Sequence, residues 1–176
     1  MIRFRRRLLI GLSGVTFMAA PLLYGEPQTT GRTAAVAQRL VGAWRLDTRT
    51  VQQADGTIVN DAVLGPKPVG RLMYDASGVM MLQMMRPGRA AAITTPANPR
   101  DAANQRVVLG YDSYFGTYRV DERAGTITHR VEGSLFPEDL GKDFVRPFTL
   151  EGETLTLKFT SPADGMTRTL VFRRAQ

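Results

Sequence analysis

Residues 70–89, GRLMYDASGVMMLQMMRPGR, settle what kind of fold this chain adopts. They read as a β-hairpin. Asp75-Ala76-Ser77-Gly78 supplies the turn, with Gly78 able to take the positive φ that a tight hairpin needs. On the first arm Leu72 and Tyr74 alternate with Arg71 and Met73. On the second, Met80, Leu82 and Met84 share one face, and Val79, Met81, Gln83 and Met85 share the other. Five of the chain's 8 methionines fall in this hairpin. Methionine is unbranched and polarizable, so two readings stay open: a strand buried on both sides whose methionines fill core, or the soft wall of an apolar ligand cavity.

On either side of the hairpin the same alternation repeats. One helical turn within Ala34–Leu40 leads into a strand over Leu40–Leu46, with Trp44 and Leu46 on one face and Arg45 and Asp47 on the other. Asp55-Gly56 turns into a short strand, Thr57-Ile58-Val59, and Gly65-Pro66-Lys67-Pro68 forms a rim loop. Beyond the hairpin, Pro87–Arg100 is an irregular loop, and Asp101 caps a short helix over about residues 102–110. A strand over Gly116–Val120 follows. In Thr126–Ser134 the residues Ile127, His129, Val131 and Gly133 share a face. Phe144–Leu150 is an irregular strand whose Pro147 argues for an edge or a bulge. Two further strands carry Leu155, Leu157 and Phe159, then Leu170 and Phe172. Short sequential strands and one helix predict an all-β fold, a closed up-and-down antiparallel barrel of about eight strands. Such a barrel encloses side chains or one small ligand.

The first residues set the compartment. Arg3, Arg5, Arg6 and Arg7 precede the uncharged run Leu8–Ala20, too short to span a bilayer comfortably and matching a signal-peptide core. Residues 1–25 are therefore expected to be a signal peptide, with an uncleaved N-terminal anchor as the alternative. Residues 26–37 are a linker and residues 38–176 the barrel domain. The expected location is periplasmic or secreted, or else tethered to the inner membrane. Arg5-Arg6-Arg7-Leu8-Leu9 also resembles the twin-arginine export pattern.

Without residues 1–25 the net charge falls from +7 to about +3, an ordinary solvated surface, and no nucleic-acid partner is expected. With no cysteine and 1 histidine the chain has no disulfide and no multi-histidine or thiolate metal centre. No cofactor motif occurs, and no cofactor is expected.

At Gly42-x-Trp44 the chain resembles the lipocalins, which carry such a tripeptide on the first strand of a small up-and-down barrel. Gly65–Tyr74, Gln83–Pro87, Tyr114–Asp121 and His129–Pro137 sharpen this to a resemblance to the lipocalin-like domain family, over roughly residues 38–174. The resemblance implies a barrel with a central cavity. Relatives with similar barrels include binders of hydrophobic small molecules as well as cyclases and isomerases. It also implies a late arginine packed across the first-strand tryptophan. Facing parity with Phe172 favours Arg174, a cation–π contact worth about 0.5–2 kcal/mol.

His129 lies between Ile127 and Val131 and is expected to point inward, as a hydrogen-bonded core histidine or as a polar anchor or proton-transfer group in the cavity. Tyr74, Tyr114 and Tyr118 offer apolar rings with orienting hydroxyls. Arg71 and Arg86 flank the hairpin, and an inward Arg146 requires an acid such as Glu132 or a ligand carboxylate. The expected ligand-binding residues are Tyr74, Met81, Gln83, Arg86, Tyr114, Tyr118, His129 and Arg146, with Trp44 and Arg174 structural and no metal ligand. No catalytic residue is assigned unless the protein is an enzyme, in which case it is His129. The preferred expectation is an exported, non-catalytic binder of a small hydrophobic molecule. The alternatives are a cofactor-free isomerase, cyclase or hydratase using His129, and a barrel filled by its own side chains.

Overall fold

The computed structural model describes residues 36–89, 110–161 and 164–176. The helix expected over 102–110 lies outside them except for Gly110, a turn residue. Residues 36–40 are helical and lead into β1 (Gly42–Gln52). There follow β2 (Ile58–Asn60), β3 (Val69–Tyr74), β4 (Val79–Met85), β5 (Tyr111–Asp121) and β6 (Thr126–Ser134). A 3-10 turn at Pro137–Asp139 precedes β7 (Asp143–Glu151), β8 (Thr154–Thr160) and β9 (Thr167–Arg174). Each strand from β3 onward pairs antiparallel with the next, and β9 returns to pair with β1. The sheet thus closes into a barrel of eight strands, with β2 a short addition along the end of β1.

The 75–78 turn forms as its sequence requires. The Asp75 and Gly78 amides donate to Val79 and Asp75 carbonyl oxygens at 2.8 and 3.0 Å, and Gly78 has φ 91°. Register then decides which face is core. Leu72 pairs with Leu82 and Leu82 with Tyr114, so Leu72, Tyr74, Met80, Leu82 and Met84 are buried inside. The other parity, with Met73, Met81 and Met85, faces out and is exposed. The methionines thus divide between core and surface.

Two bulges break strict alternation. The β1–β9 register slips between Leu46 and Thr48, which turns Arg49 and buried Val51 inward, although simple counting from Trp44 puts positions 48 and 50 there. The β5–β6 register slips at Phe115/Gly116, where Gly116 pairs with Val131 and Glu132 is passed over. A Cβ on Gly116 would sit 1.9 Å from the Arg130 carbonyl oxygen, so only glycine permits that approach.

The strand expected from Gly116 in fact begins at Tyr111. The spacing of Tyr111, Tyr114, Phe115 and Tyr118 resembles a helical stripe only because aromatic residues occupy both faces of one strand, Phe115 outside and Tyr114 inside. Pro147 belongs to a regular strand. Its missing N–H falls where β7 changes partner, from β6 over 143–147 to β8 over 148–151.

One end of the barrel is plugged. Trp44 is fully buried and donates Nε1–H to the Leu40 carbonyl at 2.8 Å. The Arg174 guanidinium lies 4.2 Å from the Trp44 ring centroid and donates to the carbonyls of Val41, at 3.0 Å, and Arg39. It therefore stacks on the ring and answers carbonyls at the end of the helical turn at once. Substituting Gly116→Ala is expected to cost about 1–3 kcal/mol, the usual penalty of forcing atoms into a packed site. Urea unfolding followed by far-ultraviolet circular dichroism measures it, and an unchanged midpoint would contradict the close approach of β5 and β6.

Candidate functional site

A polar row crosses the barrel interior. His129, on β6, is 0% exposed, and both ring nitrogens are taken by tyrosines on other strands. Tyr74 Oη lies 2.7 Å from Nε2 and Tyr114 Oη 2.8 Å from Nδ1. Burial, followed by the charge of Arg146, lowers the imidazole pKa to about 3, so the ring is neutral. Burial raises both tyrosine hydroxyls, with the charge of Arg146 opposing the rise at each. Two hydroxyls and a neutral imidazole bring three hydrogens to two hydrogen bonds. The neutral ring carries one hydrogen, so one nitrogen donates to its tyrosine and the other accepts from its own.

The other end of the barrel is open. A cleft of about 1010 Å3 there is lined by Arg49, Asp112, Tyr114, Phe144, Arg146 and Phe159, among others. It continues inward, past Arg146, Tyr114 and Phe159, to a hollow of about 30 Å3 against Leu82, Met84, Leu157 and Leu170. That hollow has room for about one water. The lumen here is thus taken up by side chains, and a second cleft, of about 1050 Å3, lies on the rim of the plugged end against Val36, Arg39, Val120, Phe148 and Leu150, among others.

Arg146 is only 8% exposed. Its guanidinium packs 3.8 Å from the Phe159 centroid and 4.8 Å from that of Phe144. Beside it, Arg49 Nε forms an ion pair with Asp61 at 3.1 Å without hydrogen-bond alignment, and Arg49 Nη1 donates to Asp112 at 3.4 Å. Burial raises the Asp112 carboxyl, with Arg49 opposing.

Of the expected ligand-binding residues, Tyr74, Tyr114, His129 and Arg146 come together inside the barrel. Tyr118 is half-buried nearby, its ring centroid 4.5 Å from that of Tyr74 and its hydroxyl donating to the Asp75 carbonyl at 3.0 Å. Met81 and Gln83 require correction, because they occupy the outward parity of β4 and Met81 is 41% exposed. Arg86 is corrected as well. It is exposed and donates Nε–H to the Val63 carbonyl at 2.8 Å and a second hydrogen to Ala62, pinning the β2–β3 connection to the end of β4. His129 lines neither the cleft nor the hollow. Its ring is a brace between two tyrosines, and Tyr114 is the member of the row that reaches the mouth. Arg49, Asp112 and Phe159 were missed as site residues. Phe159 carried a signal in its parity with Leu155 and Leu157, whereas Arg49 is brought in by a bulge that alternation does not reveal.

His129 makes stability depend on pH. Its folded pKa of about 3 lies below the ordinary 6.5, so the unfolded chain takes up the proton first. Its contribution is complete above about pH 6.5 and is lost as pH falls toward about 3, at roughly 1.4 kcal/mol per pH unit. In His129→Gln that slope is expected to flatten between about pH 7 and 5, a window above the range where the carboxylates titrate. Urea midpoints across the window measure it, and equal slopes in both proteins would contradict a buried, neutral ring.

Comparison with known proteins gives a match to the family described as "Lipocalin-like domain" over residues 41–175. No match was found among curated proteins. Among solved structures, a lipocalin-like protein from Bacteroides uniformis ATCC 8492 is 15% identical, with a TM-score of 0.41 over 77% of this chain and 98% of that one. A mutant of the fluorescent protein UnaG is 10% identical, with a TM-score of 0.37 over 78% of this chain and 97% of that one. With the family match spanning every strand of the closed barrel, the chain belongs to the lipocalin-like domain family.

Proposed function

We propose that this protein binds a small, largely apolar molecule at the mouth of the barrel and does not transform it. The observation that carries this reading is the cleft of about 1010 Å3, walled by Phe144 and Phe159 and continuous with the apolar hollow beneath. Ligand sites are typically concave and apolar with a few placed polar groups, and Tyr114 and Arg146 supply those here. A binding role without catalysis is favoured because His129 has both nitrogens engaged and no place on the cleft wall. Export belongs to the same proposal, supported by the arginines and uncharged run within residues 3–20. The intact mass of the chain recovered from periplasm tests that part. Loss of roughly the first 25 residues is the expected result, and recovery only from cytosol overturns it.

Binding itself is tested with N-phenyl-1-naphthylamine, an uncharged dye that brightens in apolar surroundings. Saturable binding of one dye per chain is expected. Phe144→Ser and Phe159→Ser should each weaken it by about tenfold, an energy of about 1.4 kcal/mol per lost aromatic contact. Phe115→Ser, on the exposed outer wall, should leave it unchanged. No saturable binding, or weakening only in the Phe115 variant, would overturn the mouth as the site.

A further inference from the structure

We infer that the molecule held at the mouth is an amphiphilic anion, its carboxylate or similarly charged head meeting Arg146 and its apolar body lying against Phe144 and Phe159. This rests on the proposal that the mouth is the binding site.

Arg146 is more than nine-tenths buried, yet it lines both the cleft and the hollow, so what remains exposed of it opens on that space. Among the described residues no carboxylate lies within 4 Å of its guanidinium, and the acids around the mouth are committed elsewhere. Asp112 is paired with Arg49, which also holds Asp61. Asp139 is paired with Lys142, and Asp143 with Arg119 and Arg130. Glu138 stands on the exposed rim. The guanidinium instead rests on two phenyl rings, with Tyr114 also beside it on the wall of the hollow. Aromatic faces attract the charge but cannot accept its in-plane N–H donors as an oxygen does. A guanidinium has five such donors, arranged to receive a carboxylate on two of them.

Burial without a carboxylate is costly to the free protein, and an arriving anion removes that cost while gaining from the lowered local dielectric. A cationic or uncharged ligand gains nothing comparable. Lys158, the other cation lining the mouth that has no carboxylate partner among the described residues, is exposed and stays hydrated. The same phenyl rings that flank Arg146 supply the apolar contact, so charge and grease are offered side by side, matching a molecule with a charged head on an apolar body.

The test is displacement of bound N-phenyl-1-naphthylamine by dodecanoate and by 1-dodecanol, which share a chain and differ in charge. The wild-type protein is expected to prefer dodecanoate by at least about tenfold, in line with one charge-assisted contact. In Arg146→Gln that preference should collapse toward parity while the affinity for dodecanol is retained. Lys158→Gln should keep it. Equal displacement by the two in wild type overturns the inference, and this arm needs no variant to fold. A preference surviving in Arg146→Gln, or lost in Lys158→Gln, overturns it too. In each of those cases the dye still binds, so the mouth remains the site. Failure of the dye to bind at all removes the site itself, and the inference with it.

Discussion

The structure depends on the seam where β9 meets β1. Trp44 pairs with Arg174 there, and the contact joins the first strand to the last across nearly the whole barrel domain. An open sheet of these strands would leave two edges of unpaired amides and carbonyls. Closure removes them, and Arg174 adds what pairing cannot, by reaching Val41 and Arg39 carbonyls beyond the strand. The plug is a large indole fixed by hydrogen bond and cation, and it shuts the lumen off from the cleft of about 1050 Å3 on the rim at that end.

Closure also dictates what the interior must hold. Eight strands leave a lumen about wide enough for inward side chains. With Tyr74, Tyr114, Trp44, Met80, Met84 and Phe172 pointing in, almost nothing is left empty. A polar group in such a place must be partnered, and His129 is: its two nitrogens face two hydroxyls from β3 and β5. The row ties three strands through atoms that tolerate little displacement, since a hydroxyl moved by an ångström leaves a buried nitrogen unanswered. The histidine that sequence reading marks for ligand contact is thus better explained as the means by which opposite walls are held in register.

Much of this was legible from residue order alone. The hairpin at 70–89, the inward parity of Leu72 and Tyr74, the inward His129 and the Trp44–Arg174 contact all follow from period-two alternation or from the family resemblance, and the structure has each of them. What alternation could not decide was β4, whose two faces are both apolar. Met81 looks as much like core as Met80 until pairing with β3 places Leu82 opposite Leu72. Gln83 and Arg86 were selected for their chemistry, but parity turns one outward and the Ala62 and Val63 carbonyls hold the other at the rim. Arg49 failed for a different reason. One extra residue in a strand exchanges its faces, and nothing in Asp47-Thr48-Arg49 announces the bulge. Tyr111 and Asp112 were hidden behind an aromatic spacing that fits a helix as well as a two-sided strand.

The filled lumen and the polar row together bear on how the mouth can recognise anything. A ligand at the proposed site would not sink past Tyr114 without displacing core, so its contacts would be confined to the ends of β1, β5, β7, β8 and β9 and the segment around the 3-10 turn. Specificity at the proposed site would then come from those few side chains and not from a long fitted tunnel. Tyr114 belongs to both systems: its ring walls the cleft and its hydroxyl answers Nδ1 of His129. Any ligand group that competes for that hydroxyl would leave the imidazole unanswered in the core, a penalty of about 1–3 kcal/mol. Arg146 escapes this constraint, since a contact made to its guanidinium disturbs no bond of the row as long as Tyr114 keeps its own. On the proposed reading, strong polar recognition would therefore be least costly at Arg146, and Tyr114 would serve the site best as a wall.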